Sequence, residues 1–218
     1  MSEKRKRIAV LVSGGGSNML ALAKACEQPD FPAEIVAVFS DKAEAGGLEK
    51  ARALGIATAA FPRKDHADKA AHEAAILAAL DAVNPDFICL AGYMRLLSAD
   101  FIRHYQGRIL NIHPSLLPLF PGLHTHQRAL DAGMKLAGCT VHFVTEGMDE
   151  GPIITQAAVP VLPVDTAESL AARVLTVEHR SYPLALRLVV EGRVRMLADG
   201  RVERSGYIAD DADFVISG

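Results

Sequence analysis

No stretch of the 218 residues approaches the roughly twenty apolar residues that cross a bilayer, so no membrane partner is expected. No signal peptide is visible either. The first apolar run, residues 8–12, is short and leads into glycines rather than a cleavage site. Cysteine is scarce: Cys26, Cys89 and Cys139 are odd in number and far apart. That pattern argues against a disulfide or zinc framework and for buried free thiols in a reducing compartment, so a cytoplasmic location is expected. A strong charge of one sign is also lacking. Lys and Arg number 23 against 26 Asp and Glu, and the net charge of −3 leaves no electrostatic footprint for nucleic acid. The basic run at residues 4–7 is short and gives way at once to Ile8, as a solvated terminus does. No repeat, low-complexity tract or linker divides the chain, so one domain over residues 1–218 is expected.

Several catalytic signatures are incomplete or missing. Gly14 and Gly16 have the first spacing of a dinucleotide fingerprint, but Met19 stands where its third glycine belongs, and no Gly-Lys-Ser/Thr occurs. No Gly-x-Ser-x-Gly elbow or cysteine nucleophile setting is present, so covalent catalysis is not indicated. His124 and His126 lack a clear third ligand nearby, and no metal is expected.

What is there is an alternation. Half the residues are hydrophobic and 22% are charged, which suits a sizeable core. Short apolar runs at 8–12, 34–40, 58–61, 87–92, 109–113, 139–144 and 153–161 read as strands. Helical patterns at 17–27, 47–54 and 68–83 separate the early ones, and a further helix is expected over 124–132. The reading is an α/β fold: a doubly wound, mostly parallel sheet with helices on both faces. Residues 166–192 read as a long helix opened by the capping pattern DTAES, with Pro183 expected to kink or split it. From Ala198 on the chain is polar, and a partly ordered end is expected.

Two stretches carry chemistry. SGGGSN, residues 13–18, follows the first strand and opens the first helix. Free N–H groups and the positive dipole end there favour phosphate; a tight turn without ligand is the alternative. In LNIHPSLLPLFPG, Asn111 and His113 share strand parity, so both point to one face, and Pro114 stops the strand beside them. Ligands of open α/β sheets bind outside such strand ends. Downstream, Asp149 lies in a Gly-flanked loop; a carboxylate reaching His113 would favour the imidazolium, a ready donor to a developing oxyanion. GYMRLL at 92–97 reads either as an apolar slot with one charge, suited to a flat heterocycle, or as simple core.

SGGGSN, AGYMRLLS, LNIHPSLLPLFPGLHTHQRAL, VHFVTEGMDEGPIITQ and RVLTVEHRSYP occur in an order that resembles the phosphoribosylglycinamide formyltransferases, over about residues 7–198. The resemblance implies a Rossmann-like formyltransferase fold, with a phosphate-binding N-terminal half and a folate and catalytic C-terminal half. It implies formyl transfer from 10-formyltetrahydrofolate, as co-substrate, to the amine of glycinamide ribonucleotide, in a monomer or homodimer. Asn111, His113 and Asp149 match the family's catalytic trio. Gly16, Ser17 and Asn18 match its substrate-phosphate turn, and Glu178 an acidic substrate contact. Met94, Arg95, Leu96 and Leu97, with Thr145, Glu146, Gly147, Met148 and Asp149, match segments lining the folate pocket, to which Asn111 is added. Lys69 stands where some members have Arg and would serve the folate tail. Leu175 departs from a Gln that helps hold substrate, and Leu119 and Phe120 from a more polar pair. A formyltetrahydrofolate hydrolase, which would use the same trio with water as acceptor, is the nearest rival.

Overall fold

The structure, a computed structural model, describes residues 4–205. The chain forms two compact units, Met1–Asn111 and Ile112–Gly218. In the first lie β1 (Lys6–Val12), α1 (Ser17–Cys26), β2 (Ala33–Ser40), α2 (Gly46–Ala53), β3 (Ala57–Ala60), α3 (Lys69–Val83), β4 (Phe87–Leu90), α4 (Ala99–His104) and the first part of β5 (Ile109–His113). The second holds the end of β5, then α5 (Thr125–Asp131), β6 (Leu136–Phe143), β7 (Ile153–Pro160), α6 (Ala167–Val190), β8 (Val194–Met196) and β9 (Val202–Arg204). Seven strands make a sheet in the order β3-β2-β1-β4-β5-β6-β7, and β8–β9 is a separate hairpin. The pairs β1–β2, β1–β4, β2–β3 and β4–β5 are parallel, while β6–β7 is antiparallel. The mostly parallel α/β sheet expected from the alternation is therefore the one observed.

The physical reason lies in the strands. Ile8 to Val12 are at most 1% exposed, so both faces of β1 are covered, as in a parallel sheet flanked by helices. The chain builds outward from β1 through β2 to β3, then returns to β1's other side with β4 and β5. This reversal at β1/β4 is a topological switch point, where the carboxyl ends of adjacent strands diverge and leave a crevice.

Helix ends obey local rules. Asp68 caps α3 by accepting the Ala71 N–H at 2.8 Å, and the helix stops at Asn84 in the left-handed region (φ 46°). Thr166 and Ser169 form a reciprocal capping box at the start of α6, as the DTAES pattern indicated. Pro183 does not split α6, which is continuous from Ala167 to Val190. Proline removes one donor there, at about 3 kcal/mol. Buried residues run from Leu170 to Val190 on both sides of it, and packing of that face holds the helix together. Short elements escaped the periodicity. Helix α4 is six residues long, too short for a 3.6-residue repeat to show, and depends on the Ser98 cap. The β8–β9 hairpin places β8 just before the polar segment expected to be partly ordered and β9 within its first residues; from residue 206 on that segment lies outside the described residues.

Candidate active site

In the first unit the glycine turn sits at the carboxyl end of β1. Gly16 is the N-cap of α1 with φ 72°, and a Cβ there would stand 2.6 Å from the Gly47 Cα. Only glycine fits both the backbone angle and this approach to α2. The neighbouring Gly14 and Gly15 are exposed, and nothing lies within 4 Å of a Cβ built on either. The turn thus combines one glycine required by the fold with two that leave open room beside a helix N-terminus. Ser17 opens α1, and Asn18 is buried in its first turn.

The turn is tied across the switch point. Ser13 N donates to the Gly92 carbonyl at 3.1 Å, and Ser13 Oγ accepts the Met94 N–H at 2.8 Å. The same hydroxyl donates to Asp41 Oδ1 at 2.5 Å, and Arg95 Nε donates to Asp41 Oδ2 at 2.7 Å. Residues 92–97 are therefore not simple core: Met94 and Leu96 are 61% and 65% exposed. Lys69 opens α3 and stands 3.6 Å from the buried carboxylate of Glu73, which also accepts the Ser98 N–H.

In the second unit β5 ends at His113, and the proline-rich turn that follows is anchored on β6. Thr140, fully buried, donates its hydroxyl to the Ser115 carbonyl at 2.7 Å and accepts the Leu117 N–H at 3.0 Å. Gln156 Nε2 donates to the Leu117 carbonyl and to Thr140 Oγ1. The turn so held brings the Phe120 carbonyl to 3.0 Å from His113 Nε2. On the other side of the ring, Asp149 Oδ2 lies 3.3 Å from His113 Nδ1. Asp149 has φ 57°, and its Oδ2 also accepts the Gly122 N–H at 2.8 Å. Gly151 lets this loop re-enter the sheet, since a Cβ there would meet the Phe143 carbonyl at 1.7 Å. Both nitrogens of His113 thus face oxygens that can only accept. The ring satisfies both contacts only with a proton on each nitrogen.

A second imidazole flanks the carboxylate. His142 Nε2 is 3.9 Å from Asp149 Oδ1, while its Nδ1 is 2.9 Å from the Phe143 carbonyl. Burial pushes the His142 pKa down, against the opposing pull of that carbonyl and of Asp149. The neutral ring keeps its proton on Nδ1, and Asp149 is left to His113 and Gly122.

The formyl transferase family matches residues 6–186 of the chain. A phosphoribosylglycinamide formyltransferase of Escherichia coli is 45% identical over 94% of this chain and 99% of its own length. The chain belongs to this family. It is 48% identical to a trifunctional purine biosynthetic protein adenosine-3 of Bos taurus, matched over 91% of this chain, which spans only 20% of that protein's length. The crystal structure of a phosphoribosylglycinamide formyltransferase from Brucella melitensis superposes with a TM-score of 0.83 at 75% identity, covering 86% of this chain and 96% of that one.

For a formyl transferase, the remaining sequence-derived residues fall as follows. Thr145, Glu146, Gly147 and Met148 form the loop leading to Asp149, with Met148 53% exposed. Glu178 is buried on α6 in the same unit, near enough to Cys139 on β6 to help burial raise that thiol to about 12. Asn111 is half-buried on β5, two residues before His113. His124 is the exposed N-cap residue of α5, and among the described residues no cluster of His, Cys, Asp or Glu is arranged to hold a metal. Sequence reasoning missed Asp41, His142 and Thr140. Thr140 and His142 carried a signal, as polar residues inside an apolar strand.

Proposed function

We propose that this chain transfers a formyl group from 10-formyltetrahydrofolate to the amine of glycinamide ribonucleotide, a step of de novo purine biosynthesis. The observation that carries the reading is His113 at the end of β5, with Asp149 on one ring nitrogen and a backbone carbonyl on the other. Such a ring is built to hold a positive charge beside Asn111, and direct acyl transfer needs that charge where an oxyanion develops.

The roles follow from the chemistry. The helix N-terminus at Gly16, Ser17 and Asn18 takes the acceptor's phosphate through free N–H groups. Glu178 accepts hydrogen bonds from the acceptor. Met94, Leu96 and Leu97 supply apolar surface to the pterin, with Arg95 as the charge in that slot and the 145–149 loop as further lining. Lys69 offers a cation to the acidic folate tail. The neutral amine attacks the formyl carbon, and negative charge grows on the formyl oxygen. Asn111 and His113 Nε2 donate to that oxygen. An anionic acceptor outcompetes the neutral Phe120 carbonyl for the Nε2 proton, so the resting contact is exchanged as charge develops. One such donor is worth about 3 kcal/mol of barrier. Asp149 keeps the ring oriented and charged, and assists proton transfer from the amine to the departing folate nitrogen, through water. No covalent intermediate is required. The partners are two small molecules.

The test follows the folate product by absorbance with 10-formyltetrahydrofolate, with and without glycinamide ribonucleotide. Turnover only with the amine supports the transferase, and turnover without it supports the hydrolase. Asn111→Ala and His113→Ala should fold and lose turnover by about a hundredfold or more. Near-normal turnover in both would sink the assignment.

A further inference from the structure

We infer that Asp41 is a positioning residue that ties the acceptor-phosphate turn to the donor-binding loop, an inference that rests on the proposed function. Asp41 follows the last residue of β2, and its side chain is 1% exposed. Its two oxygens serve two segments. Oδ1 accepts from Ser13, the first residue of the glycine turn, and Oδ2 accepts from Arg95 in the 92–97 loop. Ser13 closes the circuit by accepting the Met94 N–H on the same oxygen that donates to Asp41. One carboxylate therefore links the carboxyl ends of β2, β1 and β4 at the switch point.

Tyr93 anchors the start of the loop by burial, but the residues after it need this link. Met94 and Leu96 are largely exposed, and the Arg95 side chain is about half exposed, so apolar burial does not fix their positions. The exposed Gly14 and Gly15 likewise bring no side chain to the turn. Hydrogen bonds to a buried charge are stronger than neutral ones, and an uncompensated buried carboxylate is costly. The network is therefore held in one arrangement, and the segments proposed to touch the two substrates are positioned by the same group. His113 and Asp149 belong to the other unit, and Asn111 is held by the pairing of β5 with β4 rather than by Asp41, so binding rather than the transfer step depends on Asp41.

Asp41→Ala should raise the KM of both substrates about tenfold, with kcat within about threefold of wild type. Asp41→Asn should rescue. Its amide oxygen accepts from Arg95, and its NH2 donates to Ser13 Oγ, whose two lone pairs take both that donor and the Met94 N–H. A KM rise confined to one substrate, or an Asp41→Asn enzyme as impaired as Asp41→Ala, overturns the inference. Should Asp41→Ala fail to fold, Ser13→Ala is expected to raise both KM values severalfold, and normal values would overturn it equally. Wild-type protein without turnover would refute the function instead. Exchange of the Met94 amide then tests the tie: about tenfold faster exchange in Ser13→Ala supports it, and unchanged exchange refutes it.

Discussion

Replacing Thr140 by Val keeps the volume and shape of a fully buried side chain and deletes one hydroxyl. That hydroxyl makes three hydrogen bonds, to the Ser115 carbonyl, the Leu117 N–H and Gln156 Nε2, at 2.7, 3.0 and 3.0 Å. Gln156 retains its second acceptor, the Leu117 carbonyl at 2.8 Å. The Ser115 carbonyl and the Leu117 N–H have no such alternative beside an inserted methyl. A buried group left unsatisfied costs about 1–3 kcal/mol, so two cost about 3 kcal/mol together at the modest end. For a chain of this length each kcal/mol moves Tm by about 2–4 °C, so Thr140→Val should lower Tm by about 6–12 °C in a thermal scan. Thr140→Ser keeps all three bonds and loses one methyl group, and should fall by less than half as much. The turn pinned by Thr140 carries the Phe120 carbonyl to His113, so turnover of Thr140→Val should drop below the melting transition while Thr140→Ser stays near wild type. A Tm loss under 2 °C in Thr140→Val, or equal losses in the two variants, would refute the reasoning, because the turn would then be held by something other than this hydroxyl.

Three further outcomes are expected. Burial lowers the His142 pKa in the fold, so below about pH 6.5 the unfolded chain binds more protons than the folded one and stability falls with falling pH. Urea midpoints at pH 7.5 and 5.5 should show this fall, and His142→Phe should reduce it; His126 and His179, also lowered by burial, will leave a residue of the effect. Gly16→Ala forces a β-carbon to 2.6 Å from the Gly47 Cα at φ 72° and should destabilise by about 2 kcal/mol or more, read as a lower urea midpoint at unchanged m-value. The cysteines are all buried, and burial raises the Cys26 and Cys139 thiols to about 11 and 12, so an aromatic disulfide reagent should label the native protein slowly at pH 8 and three thiols rapidly in denaturant. Rapid labelling of the native chain would contradict that burial.

Much of the framework follows from local sequence. The apolar run 8–12, the helix signals after it, the helical pattern over 68–83 and the DTAES box are short-range features, and the structure reproduces them within a few residues. Of the kink or split expected at Pro183, the split does not occur, because a local penalty of about 3 kcal/mol is smaller than the packing gained by a long buried helix face. Helix α4 escaped because six residues contain too few turns to display a period.

The candidate site divides along the same line. The sequence by itself determined that Asn111 and His113 share a face at a strand end, since strand side chains alternate, and that a glycine turn opens a helix after β1. Only the tertiary structure decided that Asp149 reaches His113 at 3.3 Å, that Thr140 holds the turn bearing the Phe120 carbonyl, and that Asp41 joins Ser13 to Arg95. These partners are separated by 25 to 54 residues along the chain. The alternation that aims a side chain is a property of adjacent peptide units. Which distant side chain it meets depends on strand order and on the path of each loop, and those are settled only when the whole core packs.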